Sequence, residues 1–226
     1  MDKPVAVLKP VWQDFPEDPR KMWDHVATMV CWSRDYILGD VQPKHSPNEW
    51  VVYRAEEDYR DKATSYWDDM HYNAETTEQE TRYYDKMIAA AWRRLQKEWV
   101  YVPLYAYIHS GISISVSRTY PFNDPWDSGQ LGWVYIPKDT LRDLYGVERI
   151  SKKRIEQALA IISAEVEEYN NYLTGQVWSY ILEDLETGEI IDSCGGFYDG
   201  WDIVAQYVKD EWGSQYEIAS DVTDYY

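Results

Sequence analysis

Hydrophobic periodicity is clearest from residue 82 onwards. Between residues 82 and 99, apolar side chains recur at spacings of three and four, which predicts a helix with one buried face. A longer amphipathic helix is predicted at about 151–174, with Ser151 as its N-cap and Gly175 at its end. The predicted buried positions of this long helix are Ile155, Ala158 or Leu159, Ile162, Val166, Tyr169 and Leu173.

Strands are predicted where β-forming residues dominate or alternate with polar ones. The segments 100–110 and 112–117 read as a hairpin that turns at Gly111, and residues 131–136 read as a third strand. Pro103 predicts an edge position or a late strand start, since proline has no N–H to donate. Segment 121–130 contains turn formers at nearly every position and predicts a loop.

The last third of the chain reads as a helix, a hairpin and a second helix. After the long helix, residues 177–184 and 189–194 predict two strands, and a final helix follows with Asp199 as its cap. Residues 54–81 are polar and predict a partly helical excursion. The expected fold is one α+β domain over residues 1–226, with a mainly antiparallel sheet flanked by helices.

Negative charge is concentrated in the same last third. The chain carries 40 acidic and 22 basic residues, a formal net charge of −18. Residues 151–226 hold sixteen of the acids and four of the bases, so they account for −12 of the −18. Unpaired carboxylates are expensive to bury, and few cations lie nearby in sequence. We therefore expect these acids to face water or a partner. The acids that best fit a partner-binding role are Glu165, Glu167, Glu168, Glu183, Asp184, Glu186 and Glu189.

Other compositional features narrow the classes of function. Net negative charge opposes binding to nucleic acid or to anionic membranes. No apolar leader and no apolar stretch of membrane-spanning length occur, so the expected location is the cytoplasm. The chain has twelve Trp and 21 Tyr but three Phe, and amphipathic rings of this kind suit interfaces as well as cores. No pattern indicates a metal or a cofactor.

One short segment contains candidate catalytic residues. His109 ends a predicted strand, and the loop that follows supplies Asp124, Asp127 and Ser128. A histidine near two carboxylates and a hydroxyl suits general acid–base chemistry. The same residue types also build ordinary structured loops, and no established enzyme motif occurs in the chain.

Several blocks together resemble a largely uncharacterised family of acidic proteins encoded by phages, plasmids and integrative elements. The blocks are WDHVATMVCW, YILGD, HSGISIS, PWDSGQLGWVYIPK, RISKKRIE, YLTGQVWSY and DSCGGFYD. The PWDSGQ block is the most specific of them, and the family provides no catalytic residues to carry over. The resemblance implies a mobile-element context, in which small acidic proteins often blunt restriction or CRISPR nucleases of the host.

Three hypotheses follow from these observations. The first is an anti-defence inhibitor in the host cytoplasm that binds a nuclease or effector with a basic groove, through nucleic-acid mimicry or steric block. The second is a small hydrolase or nucleotide-binding protein that uses His109, Asp124 and Asp127. The third is a structural or assembly protein of the element, as a homo-oligomer joined through Tyr and Trp side chains.

Overall fold

In the part of the chain that the structure describes, six helices and two mostly antiparallel sheets form, which confirms the predicted α+β class. The computed structural model describes residues 6–57, 76–213, 216–219 and 223–224. The helices are α1 (Pro19–Met22), α2 (Pro47–Glu57), α3 (Thr77–Glu98), α4 (Lys138–Tyr145), α5 (Lys152–Leu173) and α6 (Trp201–Trp212). The strands are β1 (Ala6–Trp12), β2 (Thr28–Cys31), β3 (Trp99–Ile108), β4 (Ile112–Val116), β5 (Ser128–Pro137), β6 (Trp178–Asp184), β7 (Ile190–Phe197), β8 (Tyr216–Ile218) and β9 (Thr223–Asp224).

The first sheet has four antiparallel strands in the order β2-β5-β3-β4. The amphipathic helix α5 packs across one face and buries Ala158, Ile162, Val166 and Tyr169 there. Helices α2 and α3 cover the other face, where indole rings from both layers meet. The sheet is therefore buried on both sides, which fixes its register.

The second sheet joins the beginning of the chain to its end. Its strand order is β7-β6-β1-β8, with β9 pairing on the same edge of β1 as β8. Helix α6 packs on one face, where its Val204 and Val208 meet Leu8 and Tyr180. Strand β7 is an edge strand, and most of its residues are exposed.

Each sheet contains a proline at a gap in its hydrogen-bonding ladder. Pro103 in β3 pairs with β5, but pairing with β4 begins one residue later, at Leu104. Pro10 in β1 pairs with β6 and lies between the residues that pair with β8 and with β9. A residue without an N–H is tolerated at these positions because no neighbouring strand requires its donor there.

The long helix was predicted within one residue at each end. It begins after Ser151, whose side chain accepts the Arg154 N–H as predicted, and ends at Leu173. The predicted cap of the final helix is wrong: Gly200, not Asp199, is the N-cap of α6, and it provides no side-chain bond. Of the predicted excursion at 54–81, residues 58–75 lie outside the described part of the chain. The single-domain assignment stays a prediction.

The third strand of the first sheet was predicted too short. Strand β5 begins at Ser128 rather than at residue 131, because Tyr107, Ala106 and Tyr105 of β3 offer partners to residues 128–130. This pairing overrides the turn-forming composition of the segment.

The two cysteines differ in environment and should differ in reactivity. Burial raises the pKa of the Cys31 thiol to about 12, whereas Cys194 lies exposed on β7. Because the thiolate is the reacting species, a thiol reagent at pH 8 should label Cys194 in the native protein and both residues after unfolding. Mass spectrometry of the labelled peptides tests this prediction. Labelling of Cys31 at a comparable rate before unfolding would contradict it.

Candidate functional site

A buried guanidinium group organises the N-terminal part of the chain. The Arg20 side chain is 1% exposed and forms ion pairs with Asp40 and Glu165. Its Nη1 lies 3.0 Å from Glu165 Oε2, and its Nη2 donates to the Ala27 carbonyl oxygen at 2.7 Å. Burial alone would lower the pKa of Arg20, but the hydrogen bonds and charges of the two carboxylates raise it, so the group stays charged.

The two carboxylates also accept backbone donors. Glu165 accepts the N–H of Val26 at 2.8 Å, and Asp40 accepts the N–H of Met29 at 2.6 Å. These bonds tie α5 to the segment that enters β2. Glu165 is thus an internal structural group, although it was predicted to face a partner.

Two further predicted acids have partners from the first part of the chain, one a histidine and one a lysine. Glu168 lies 3.2 Å from His25 Nε2, and Glu183 lies 2.5 Å from Lys9 Nζ. The expectation that the acids of the last third have no cations of their own is therefore wrong for Glu165 and Glu183, and Glu168 contacts a histidine. The physical reason is that the fold brings the N-terminal segment against α5 and β6, from more than 130 positions away in sequence.

The remaining predicted acids divide between a turn and the surface. Asp184 accepts the N–H groups of Thr187 and Glu186 in the β6–β7 turn, and these bonds lower its pKa. Glu167, Glu186 and Glu189 are exposed. These three remain free to contact a partner.

Sequence reasoning missed the cationic half of this network. No local pattern marks Arg20 as buried, since its partners lie 20 and 145 positions away. One signal for Glu165 does exist: it falls on the same helical stripe as Ala158, Ile162 and Tyr169, all of which are buried. An acid on the buried stripe of a helix indicates an internal partner.

The structure brings together part of the predicted catalytic group. His109 Nε2 lies 3.7 Å from Asp127 Oδ2, and both side chains are partly exposed. Asp124 stabilises the turn, because its Oδ1 accepts the backbone N–H groups of Trp126 and Asp127. The Ser128 hydroxyl donates to the Asp124 carbonyl oxygen and also contacts the Tyr120 hydroxyl. The hydrolase hypothesis stays a prediction that rests on the His109–Asp127 pair.

A surface of different chemistry is formed by the β6–β7 turn, β7 and α6, and we call it the acidic–aromatic surface. Helix α6 exposes Ile203, Tyr207 and Trp212, with 51%, 42% and 46% of each residue accessible. The Tyr207 ring lies 5.5 Å from that of Phe197, and the Trp212 indole donates to Asp192 at 3.1 Å, so α6 is fixed on β7. The exposed acids of this surface are Glu186, Glu189, Asp199, Asp202, Asp210 and Glu211.

The acidic–aromatic surface has few basic side chains. Lys209 is the one basic residue that the structure describes after Arg154, and none of the six exposed acids forms an ion pair with a described residue. Apolar and aromatic side chains in water beside unneutralised carboxylates are typical of a protein-binding surface.

No family model, curated protein or solved structure matches the chain. Among the described residues, no group of three or more His, Cys, Asp or Glu side chains is arranged to hold a metal ion. None of the helices in that part of the chain has the length and apolar character required to span a bilayer.

Removal of either side of the Arg20 network should destabilise the fold. Arg20→Met leaves two carboxylates without their buried cation, and we expect it to lower the free energy of unfolding by about 3–5 kcal/mol. Glu165→Gln should lower it by about 1–3 kcal/mol. Denaturant unfolding followed by circular dichroism measures both values.

Glu167→Gln provides the matched control. It makes the same chemical change two residues further along α5, at an exposed position, and should shift stability by less than about 0.5 kcal/mol. Equal effects of the two glutamate variants would show that the Arg20–Glu165 contact does not stabilise the protein.

Proposed function

We propose that this protein is a binding inhibitor whose acidic–aromatic surface occupies a basic, nucleic-acid-binding groove of another protein. The observation that carries the proposal is the exposure of Ile203, Tyr207 and Trp212 among six carboxylates that form no ion pair with a described residue. These carboxylates lie on α6, in the loop before α6 and in the turn before β7. Tyr and Trp side chains anchor protein interfaces, and a field of one sign attracts a partner of the opposite sign.

The rigidity of the surface supports occupancy of a groove. The Tyr180 hydroxyl and the Trp212 indole both donate to Asp192, at 2.5 and 3.1 Å, and link β6, β7 and α6. Asp184 fixes the turn that presents Glu186 and Glu189. Carboxylates on such a scaffold keep fixed spacings, as the phosphates of a nucleic acid do.

The class of partner follows from this chemistry and from the resemblance to mobile-element proteins. A host nuclease or effector of a restriction or CRISPR system has a basic groove that this surface would fill. Binding there would exclude the nucleic acid substrate. Two of the proposed contacts, Glu186 and Glu189, are among the acids that the sequence predicted to bind a partner. The others are the exposed acids of α6, which are Asp202, Asp210 and Glu211.

Capture experiments test the charge component. The immobilised protein should retain a nucleic-acid-binding protein from a bacterial host lysate, and duplex DNA should compete for it. Binding should weaken as salt rises from low to high ionic strength, because exposed charges are then screened. If neither high salt nor duplex DNA reduces the amount of captured protein, groove occupancy is contradicted.

A matched pair of triple variants locates the binding surface. Neutralising Asp202, Asp210 and Glu211 should weaken binding of the captured partner by about tenfold or more. Neutralising Glu78, Glu80 and Asp85, three exposed acids on α3, removes the same charge and should have a much smaller effect. Titration by surface plasmon resonance compares the two. If both triple variants lose the same affinity, the partner responds to net charge rather than to this surface.

A further inference from the structure

A cleft of about 370 Å³ opens beside the first residues of β5. Its lining includes the apolar side chains of Ala106, Ile108 and Leu131. Trp32, Trp126 and residues 33–36 also line it. The cleft shares no residue with the acidic–aromatic surface.

The side of the cleft formed by β5 is an open sheet edge. Strand β3 pairs with residues 128–130 on one edge of β5. On the opposite edge, pairing with β2 stops at Gly132, and the last backbone bond runs from Trp32 N–H to the Leu131 carbonyl oxygen at 2.8 Å. Within the described residues, no strand pairs with residues 128–130 on that edge.

Two glycines of β5 show where the neighbouring strand ends. A Cβ atom on Gly132 would lie 1.8 Å from the Val30 carbonyl oxygen, so β2 presses closely against β5 there. A Cβ atom on Gly129 would have nothing within 4 Å. The cleft thus occupies the space into which a continuation of β2 would run.

The walls of the cleft are held in place without an occupant. The Trp32 indole donates to the His45 carbonyl oxygen at 2.8 Å, and the Tyr36 N–H donates to Ser33 Oγ at 3.2 Å. Trp126 is 92% exposed, although the bond from its N–H to Asp124 fixes the turn that presents it. Tyr36, which is 43% exposed, lines the same cleft, and exposed aromatic side chains grouped at a concave surface are typical of a binding site.

We infer that this cleft binds a short, extended, positively charged peptide segment of another protein. The segment would pair with the free edge of β5 as an added strand and place one apolar side chain against the apolar residues of the cleft, Ala106, Ile108 and Leu131. Edge residues of a strand present N–H and C=O groups at the repeat of a peptide backbone, which a compact small molecule does not match.

Charge selects the kind of peptide. Asp35 and Asp127 line the cleft with Arg34, in a chain whose net charge is −18. A cationic segment is attracted to such a site, whereas a second copy of this chain is repelled. The inference stands on residues that the proposed inhibitor function does not use.

The test uses a panel of blocked, fluorescein-labelled pentapeptides, each with three apolar residues between two lysines. Fluorescence anisotropy should show saturable binding by at least one peptide at or below about 1 mM. In spectra of the ¹⁵N-labelled protein, the largest amide shifts should fall on Ser128, Gly129 and Gln130. No binding by any member of the panel would overturn the inference.

Glycine variants provide the decisive comparison. Gly129→Leu projects a side chain into open space and should fill the cleft, so peptide affinity should fall by at least about tenfold. Gly111→Leu is the control, because a Cβ atom on Gly111 would also have nothing within 4 Å, but Gly111 lies in the β3–β4 turn and does not line the cleft. It should leave affinity unchanged. Thermal unfolding of both variants should match that of the wild type, which shows that the fold is kept.

Chemical variants of the peptide separate the contributions to binding. N-methylation of its central amides removes the donors that pair with β5 and should abolish binding. Exchange of both lysines for glutamates should weaken it. Unchanged affinity after N-methylation would overturn strand addition, and light scattering that shows self-association abolished by Gly129→Leu would identify a second copy as the occupant.

The outcome is independent of the inhibitor proposal. Neutralising Asp202, Asp210 and Glu211 should leave peptide binding unchanged, since none of them lines the cleft. Loss of peptide binding in that triple variant would contradict a separate peptide site.

Discussion

The contact of Arg20 with Asp40 and Glu165 is the constraint on which the arrangement of the chain depends. A guanidinium group that is 1% exposed requires both carboxylates, because a buried charge without partners is strongly destabilising. Since the three residues come from α1, from the segment after β2 and from α5, this requirement positions the N-terminal segment against the long helix. The same contact removes Glu165 from the set of surface acids.

Local signals predicted the elements that local interactions determine. The boundaries of α5 followed from a 3.6-residue period, a serine cap and a glycine stop, which all act within a few residues of each other. The start of β5 could not be predicted in this way. Residues 128–130 are turn formers, and they become a strand because β3 lies beside them.

The acids of the candidate site also differ in whether local sequence determines their environment. Exposure of Glu167, Glu186 and Glu189 was predictable, since no other requirement acts on them. Glu168 pairs with His25 and Glu183 with Lys9, and the partners are more than 140 residues apart in sequence. Hydrophobic periodicity reports only on local structure and cannot predict such contacts. Charge counted along a sequence therefore overstated the charge available at the surface. What remains exposed is concentrated on α6 and the hairpin before it, next to aromatic side chains.

The second sheet has a consequence for the order of folding. Strands β3, β4 and β5 lie within 39 consecutive residues and pair through short connections, so their part of the first sheet closes small loops. Strand β1 pairs with β6, from residue 178 onwards, and with β8 and β9, which the ribosome synthesises later still. Pairings of such high contact order form slowly. During synthesis, β1 therefore lacks its partner strands until residues 178 onwards have left the ribosome, and unpaired apolar strands of this kind favour aggregation.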